Sequence, residues 1–261
     1  MAQAIIRGLL ARKAVPRTNI LISDKDGAVL KVASKKYNVR AASGNAETAG
    51  SSDVVILAVK PQVMHTVLSE MRGKIGSSQL VISIAAGITL KSIEKYLPKV
   101  PVVRAMPNNP CLVGEGVTLV CGGSFAQEKD LKTAEKIFSS VGDAIRIEEK
   151  NMNAVTALSG SGPAFVYEVV EALTDGGVEA GLSKELAAEL AKLTVLGSIK
   201  TVIKTKKTPE ELKAMVASPG GTTLAGLRVM EEGNFKGTLK KAVLRASARA
   251  KEISEEFDRS L

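Results

Sequence analysis

Val54-Val55-Ile56-Leu57-Ala58-Val59-Lys60-Pro61 is the stretch that decides how this chain folds. Its six leading residues are apolar and mostly β-branched, with no polar residue alternating among them. Such a run fits a strand covered on both faces, as in a parallel sheet flanked by helices. Pro61 then sits where the first position of a helix is expected, since its missing N–H costs nothing there. Lys60 falls at the carboxyl end of the strand, the edge where open parallel sheets place ligands.

Working outward, comparable apolar runs occupy residues 20–22, 80–84, 102–103, 117–120 and 144–147. Amphipathic segments at 3–13, 27–37, 61–71, 90–97 and 126–140 alternate with them. Strands alternating with helices of this length predict right-handed βαβ units and an α/β, doubly wound parallel sheet. The pattern starts out of phase. Met1 to Ile6 reads as a helix already under way, and the strand and Gly-x-Gly turn that open such a domain are not seen before it. This predicts a dinucleotide-binding domain over 1–149 with its first strand missing.

Beyond residue 147 no strand-like run recurs. Ser159-Gly160-Ser161-Gly162-Pro163-Ala164 reads as a small-residue turn before a helix that carries Val166, Val169, Val170 and Leu173 on one face. Ser183 is placed to cap the next helix, and Thr208-Pro209-Glu210-Glu211 is a capping box. Leu239, Val243, Ala246, Ala250, Ile253 and Phe257 form a narrow packing seam on the last helix. This predicts an all-helical domain over 150–261, whose last helix packs closely against a neighbouring helix of the same chain or of another subunit.

Within that domain stands Ser218-Pro219-Gly220-Gly221-Thr222-Thr223. Two glycines let backbone approach a ligand, and the helix that follows offers N–H groups and the positive end of its dipole. That arrangement suits a small carboxylate. An ordinary tight turn with a threonine cap uses the same residues.

Composition narrows the chemistry. The single histidine, His65, excludes histidine-cluster metal sites and disfavours a Ser-His-Asp mechanism; no metal is expected, and His65 reads as a surface residue. Cys111 and Cys121 lie in apolar surroundings, as buried thiols in a reducing cytoplasm would. The net charge of +9 is spread along a chain with 3% aromatic residues, which suits an anionic cofactor and substrate better than nucleic acid. No apolar run is long enough for a membrane span.

Candidate cofactor residues lie at the strand ends. Asp24 and Lys25 follow the first apolar run; Asp24 suits ribose hydroxyls, Lys25 a 2′-phosphate, and Asp24 as a helix cap is equally compatible. Asn45 lies in a polar loop. Ala58, Val59, Lys60 and Pro61 end the second run. Ala85, Ala86 and Gly87 are small enough for a dinucleotide to approach backbone. Pro107 and Asn108 sit in the rigid turn after residue 103.

Four stretches, taken together, resemble one family. Ala58-Val59-Lys60-Pro61, Arg104-Ala105-Met106-Pro107-Asn108, Leu158-Ser159-Gly160-Ser161-Gly162-Pro163-Ala164 and Ser218-Pro219-Gly220-Gly221-Thr222-Thr223-Leu224-Ala225 occur in the order and spacing of pyrroline-5-carboxylate reductases. The resemblance implies a Rossmann-like domain and a helical dimerisation domain, NADPH or NADH as hydride donor, and reduction of a cyclic imine carboxylate to proline. It places the substrate at Ser218, Gly220, Gly221, Thr222 and Thr223, with Ser161, Gly162 and Pro163 as walls and Thr223 as the catalytic candidate. Asn109 stands where threonine is usual and Phe165 where tyrosine is usual. Two other readings stay open: a β-hydroxyacid dehydrogenase-like reductase with Lys192 or Lys200 as its lysine, and a non-catalytic protein without a working cofactor site.

Overall fold

The run at residue 54 forms a strand in the larger of two sheets. In the computed structural model, which describes residues 1–259, the first half of the chain runs α1 (Ala2–Ala11), β1 (Leu21–Ile22), α2 (Gly27–Tyr37), β2 (Arg40–Ala41), α3 (Asn45–Gly50), β3 (Val54–Leu57), α4 (Met64–Met71), β4 (Leu80–Ser83), α5 (Leu90–Tyr96), β5 (Val102–Met106), β6 (Gly116–Gly122), α6 (Glu128–Phe138) and β7 (Gly142–Arg146). β1 and β2 pair in parallel as a separate two-stranded sheet. The larger sheet has the order β3-β4-β5-β6-β7.

β3, β4 and β5 are parallel, but β6 runs antiparallel to β5, with Ala105 opposite Val120. This corrects the all-parallel expectation. The connection from β5 to β6 is a short loop containing the 3-10 turn Asn109–Val113. A parallel partner needs a crossover of about a dozen residues or more, usually a helix. β2 was also unforeseen: both of its residues are exposed, so no apolar pattern marks it.

Successive strand residues point to opposite faces. Val81 and Val102 face a core with Met64, Leu68, Met71, Ile88 and Ile93, beneath α4 and α5. Ile82 and Val103 face a core with Ala4, Ile5, Leu9, Phe138 and Val141, beneath α1 and α6. Both faces of the sheet are therefore covered, and this is why β3 reads as an unbroken apolar run and β4 as one broken only by Ser83.

The second half is helical: α7 (Met152–Val155), a π-helical turn Thr156–Gly160, α8 (Gly162–Glu179), α9 (Lys184–Thr205), α10 (Pro209–Val216), α11 (Thr222–Glu232) and α12 (Phe235–Arg259). Ser183 caps α9 through Leu186 N–H, and Thr208 with Glu211 forms the expected capping box of α10.

By contacts the chain divides into one unit of Met1–Ser161 with the segment from Arg245 on, and a second of Gly162–Leu244. The contact division falls at 162, because Met152, Thr156 and Ala157 are buried in the first unit. The end of α12 returns to that unit through Ala250, Ser254 and Phe257, so the seam on the last helix does not serve one domain alone.

The second unit buries few of its own side chains. Along α9 only Ala187 and Ala191 are buried, while Leu186, Leu190, Leu193, Leu196, Ile199 and Ile203 are exposed. Exposed apolar surface at helical spacing marks an association face. No helix among the described residues is long and apolar enough to cross a membrane.

Candidate active site

In the second unit the turn Ser218–Gly221 is closed by a hydrogen bond from Gly221 N–H to Ser218 O at 3.0 Å. Pro219 occupies its second position and Gly220, with φ of +71°, its third. That is a type II turn, in which proline sets the first central dihedral and glycine accepts the left-handed one. Gly221 is the N-cap of α11, and no side chain caps that end.

The consequence is chemical. Gly221 N–H is already bonded, which removes it from the expected set of carboxylate donors. Thr222 and Thr223 take the first two helical positions with exposed side chains. Their N–H groups carry the positive end of the helix dipole. Gly221, not a threonine, is the cap.

In the first unit Ser161, expected in a turn, instead closes the π-helical segment by donating its N–H to Thr156 O at 2.9 Å. Single π turns inside helices are frequent at functional sites. Gly162 and Pro163 open α8, where proline is tolerated because its missing N–H lies in the first turn.

The cofactor candidates lie in the first unit, past β1, β2, β3, β4 and β5; Asn45, expected in a loop, is the first residue of α3. Ala58 and Lys60 are exposed past β3, and Lys60 has no ion pair among the described residues. Val59 packs against the core, and Pro61 opens a 3-10 turn that leads into α4. Ala85 and Gly87 are buried past β4, with Ala86 half-buried.

Gly87 has a reason beyond ligand approach. Its φ is +76°, and a Cβ there would lie 2.4 Å from Ile253 Cγ2. The missing side chain admits α12.

Past β1, Asp26 rather than Asp24 caps α2, accepting from Ala28 and Val29 N–H; Asp24 accepts from Asp26 N–H at 3.0 Å. Asp24 and Lys25 are both exposed. Asn45 accepts from Ser23 Oγ at 2.8 Å and donates to Glu70 at 2.7 Å. Asn108 accepts from Val117 N–H at 2.9 Å and donates to Ser159 Oγ at 3.3 Å. Both amides are thus engaged in holding loops, and Asn108 ties the turn after β5 to the π-helical segment. Pro107 is buried beside it.

Neither thiol is a nucleophile. Burial pushes Cys121 up to about 12 and raises Cys111, so both stay protonated. Hydrogen bonds from Ser43 hold the Glu47 carboxyl below its usual range. His65, expected at the surface, is half-buried: its ring stacks on Phe257 at 3.9 Å and 9°, and Nδ1 lies 2.7 Å from the Tyr96 hydroxyl. An aromatic on a helix nearly two hundred residues away leaves no local sequence signal.

The chain is 42% identical to the pyrroline-5-carboxylate reductase of Synechocystis over 98% of its own length and 95% of that protein's. It is 43% identical to the one from Methanosarcina acetivorans over the same shares.

The chain belongs to the pyrroline-5-carboxylate reductase family.

Two domain-level matches agree. Residues 149–253 match the family described as pyrroline-5-carboxylate reductase dimerisation, and residues 1–87 match NADP oxidoreductase coenzyme F420-dependent. Among solved structures, the pyrroline carboxylate reductase of Plasmodium falciparum, with NADP bound, superposes with a TM-score of 0.89 at 34% identity. That match covers 96% of this chain and 93% of the other. The reductase of Coxiella burnetii gives 0.87 at 36% identity, over 97% and 94%. Prephenate dehydrogenase from Aquifex aeolicus, at 13% identity and a TM-score of 0.53, shares the fold alone. Lys192, the lysine considered for a hydroxyacid dehydrogenase, is exposed and paired with Glu189 at 2.6 Å.

Proposed function

We infer that this protein reduces 1-pyrroline-5-carboxylate to proline with NADPH or NADH, the last step of proline biosynthesis. The observation that carries the reading is the uncapped N-terminus of α11, delivered by the Pro219–Gly220 turn. It supplies what a small carboxylate needs: adjacent backbone donors and a favourable dipole.

In this reading the N–H groups of Thr222 and Thr223 hold the substrate carboxylate, and Ser218, Gly220 and Gly221 shape the turn that presents them. The Thr223 hydroxyl hydrogen-bonds the ring nitrogen. A threonine is a weak general acid, so water supplies the proton that makes the imine an electrophilic iminium. The bound nicotinamide supplies a hydride to the imine carbon. The C=N π pair then becomes the lone pair of the ring amine, a new C–H bond forms, and proline results. Gly162 and Pro163, which open α8 in the same unit as α11, wall the ring.

The residues after the strands fit a dinucleotide. Asp24 and Lys25 are exposed for the adenosine ribose, Lys60 supplies a cation, and Ala58, Ala85 and Ala86 leave backbone accessible, with Val59, Pro61, Pro107, Asn45, Gly87 and Asn108 fixing their loops. The exposed apolar face of α9 supports a homodimer formed through the helical unit. The two buried thiols support a reducing compartment, the cytoplasm.

Purified protein mixed with the cyclic imine and NADPH tests this directly. Loss of NADPH absorbance matched by proline formation supports it. No turnover with either nicotinamide cofactor would remove it.

A further inference from the structure

The end of α12 is far in sequence from the loops that follow β3 and β4, yet it is fastened to the helices that continue both. Phe257 is buried in the core beneath α4 and α5 and stacks on His65, one residue into α4. The His65 ring also meets the Tyr96 hydroxyl at the end of α5. Ser92, in the first turn of α5, donates to Asp258. Thr89 caps α5 through Ser92 N–H at 3.1 Å, so the bond to Asp258 sits on the capping residues themselves. Between these anchors, Ile253 fills the space that a side chain on Gly87 would need.

We propose that Ile253 and Phe257 are positioning residues for the cofactor: the end of α12 sets the shape of the loop Ala85–Gly87 and the start of α4. Gly87 is held at a φ of +76°, which a loose loop would not need to keep. A loop backed by a packed side chain is ordered before a ligand arrives, which lowers the ordering cost on binding. Ile253 therefore acts on the cofactor through Gly87. The inference rests on the reductase reading above, since it takes the loop after β4 as the dinucleotide's contact.

The test is Ile253→Ala, with Ile253→Val as the conservative variant and Phe257→Leu as a second probe, in the full-length protein. NADPH affinity is measured by calorimetry, steady-state constants by turnover, and loop order by hydrogen exchange of residues 85–90. Ile253→Ala and Phe257→Leu should weaken NADPH binding by about five- to tenfold, a coupling of ordinary size for residues that touch no ligand. Exchange in the loop should speed up, while kcat at saturating cofactor and KM for the imine stay within about twofold, as for a change in binding alone. Ile253→Val should behave as the unaltered chain. Unchanged NADPH affinity in a folded Ile253→Ala protein overturns the proposal. So does an equal fall in kcat and in cofactor affinity. If the unaltered protein binds neither NADPH nor NADH, the reductase reading itself falls, a result distinct from a variant that matches its parent.

Discussion

Glu149 accepts a hydrogen bond from the guanidinium of Arg104 at 3.0 Å, and the same carboxylate oxygen takes Leu90 N–H at 2.8 Å. Arg104 is 3% exposed and lies on β5, within the Arg104–Asn108 motif. One carboxylate thus neutralises a buried cation and satisfies a donor at the start of α5. A buried charge that loses its partner is strongly destabilising. Glu149→Leu is expected to cost about 3 kcal/mol, toward the lower end because Glu149 keeps some water contact. Glu149→Gln, which retains an acceptor, should cost less. Denaturant unfolding of both variants checks the order.

Cys121 lies opposite Arg104 across the β5–β6 ladder, and burial pushes its pKa from the ordinary thiol range up to about 12. In the unfolded chain the thiol ionises first, so above the ordinary thiol value the unfolded state binds fewer protons. Stability contributed by the neutral buried thiol is therefore full below pH about 9 and declines as pH rises toward 12. Alkylation by iodoacetamide at neutral pH is expected to be negligible until the protein unfolds. Fast labelling of the native protein would contradict the burial assigned here.

Gly220 holds a left-handed conformation in open space, so the cost of a side chain there is conformational. Gly220→Ala should lower stability by about 1–2 kcal/mol. Because the turn aims α11, the imine KM should rise while cofactor affinity holds. Thr223→Ala tests a different role. Its side chain is exposed and caps nothing, so melting should be unchanged while kcat/KM for the imine falls by roughly tenfold or more, as for a lost hydrogen bond to a charged group. An unaltered kcat and KM would remove Thr223 from the reaction.

The proposed dimer through the apolar stripe on α9 should be breakable by one charge. Leu193→Glu or Leu196→Glu should shift the protein toward monomer in sedimentation and remove the concentration dependence of its melting. Both side chains are exposed in the single chain, so neither change opens a cavity within it. A dimer of undiminished stability would place the interface elsewhere.

Much of this architecture was legible because burial leaves a periodic trace. The run at 54–59 is apolar throughout and that at 80–84 is broken only by Ser83, since both faces of β3 and β4 are covered, and Ser183 and Thr208 announced their helices through capping chemistry. The Ser218–Thr223 stretch was legible as a tight turn that opens a helix, though which N–H groups remain available depends on the bond from Gly221 to Ser218. β6 was misread in direction: it is buried along most of its length, as a parallel strand would be, and its sense is set by the short loop from β5. Composition turns helical at 150 and the dimerisation family match begins at 149, while the contacts divide at 162. His65 and Ile253 were illegible for a different reason: each owes its place to a partner distant in sequence, and a lone residue has no periodicity.

The central claim is that the N-terminus of α11 grips the substrate's carboxylate, and a crystal structure with proline or a close analogue tests it most directly. The account predicts carboxylate oxygens within hydrogen-bond distance of Thr222 and Thr223 N–H, with the ring nitrogen near the Thr223 hydroxyl. A carboxylate bound away from the Ser218–Thr223 turn would contradict it.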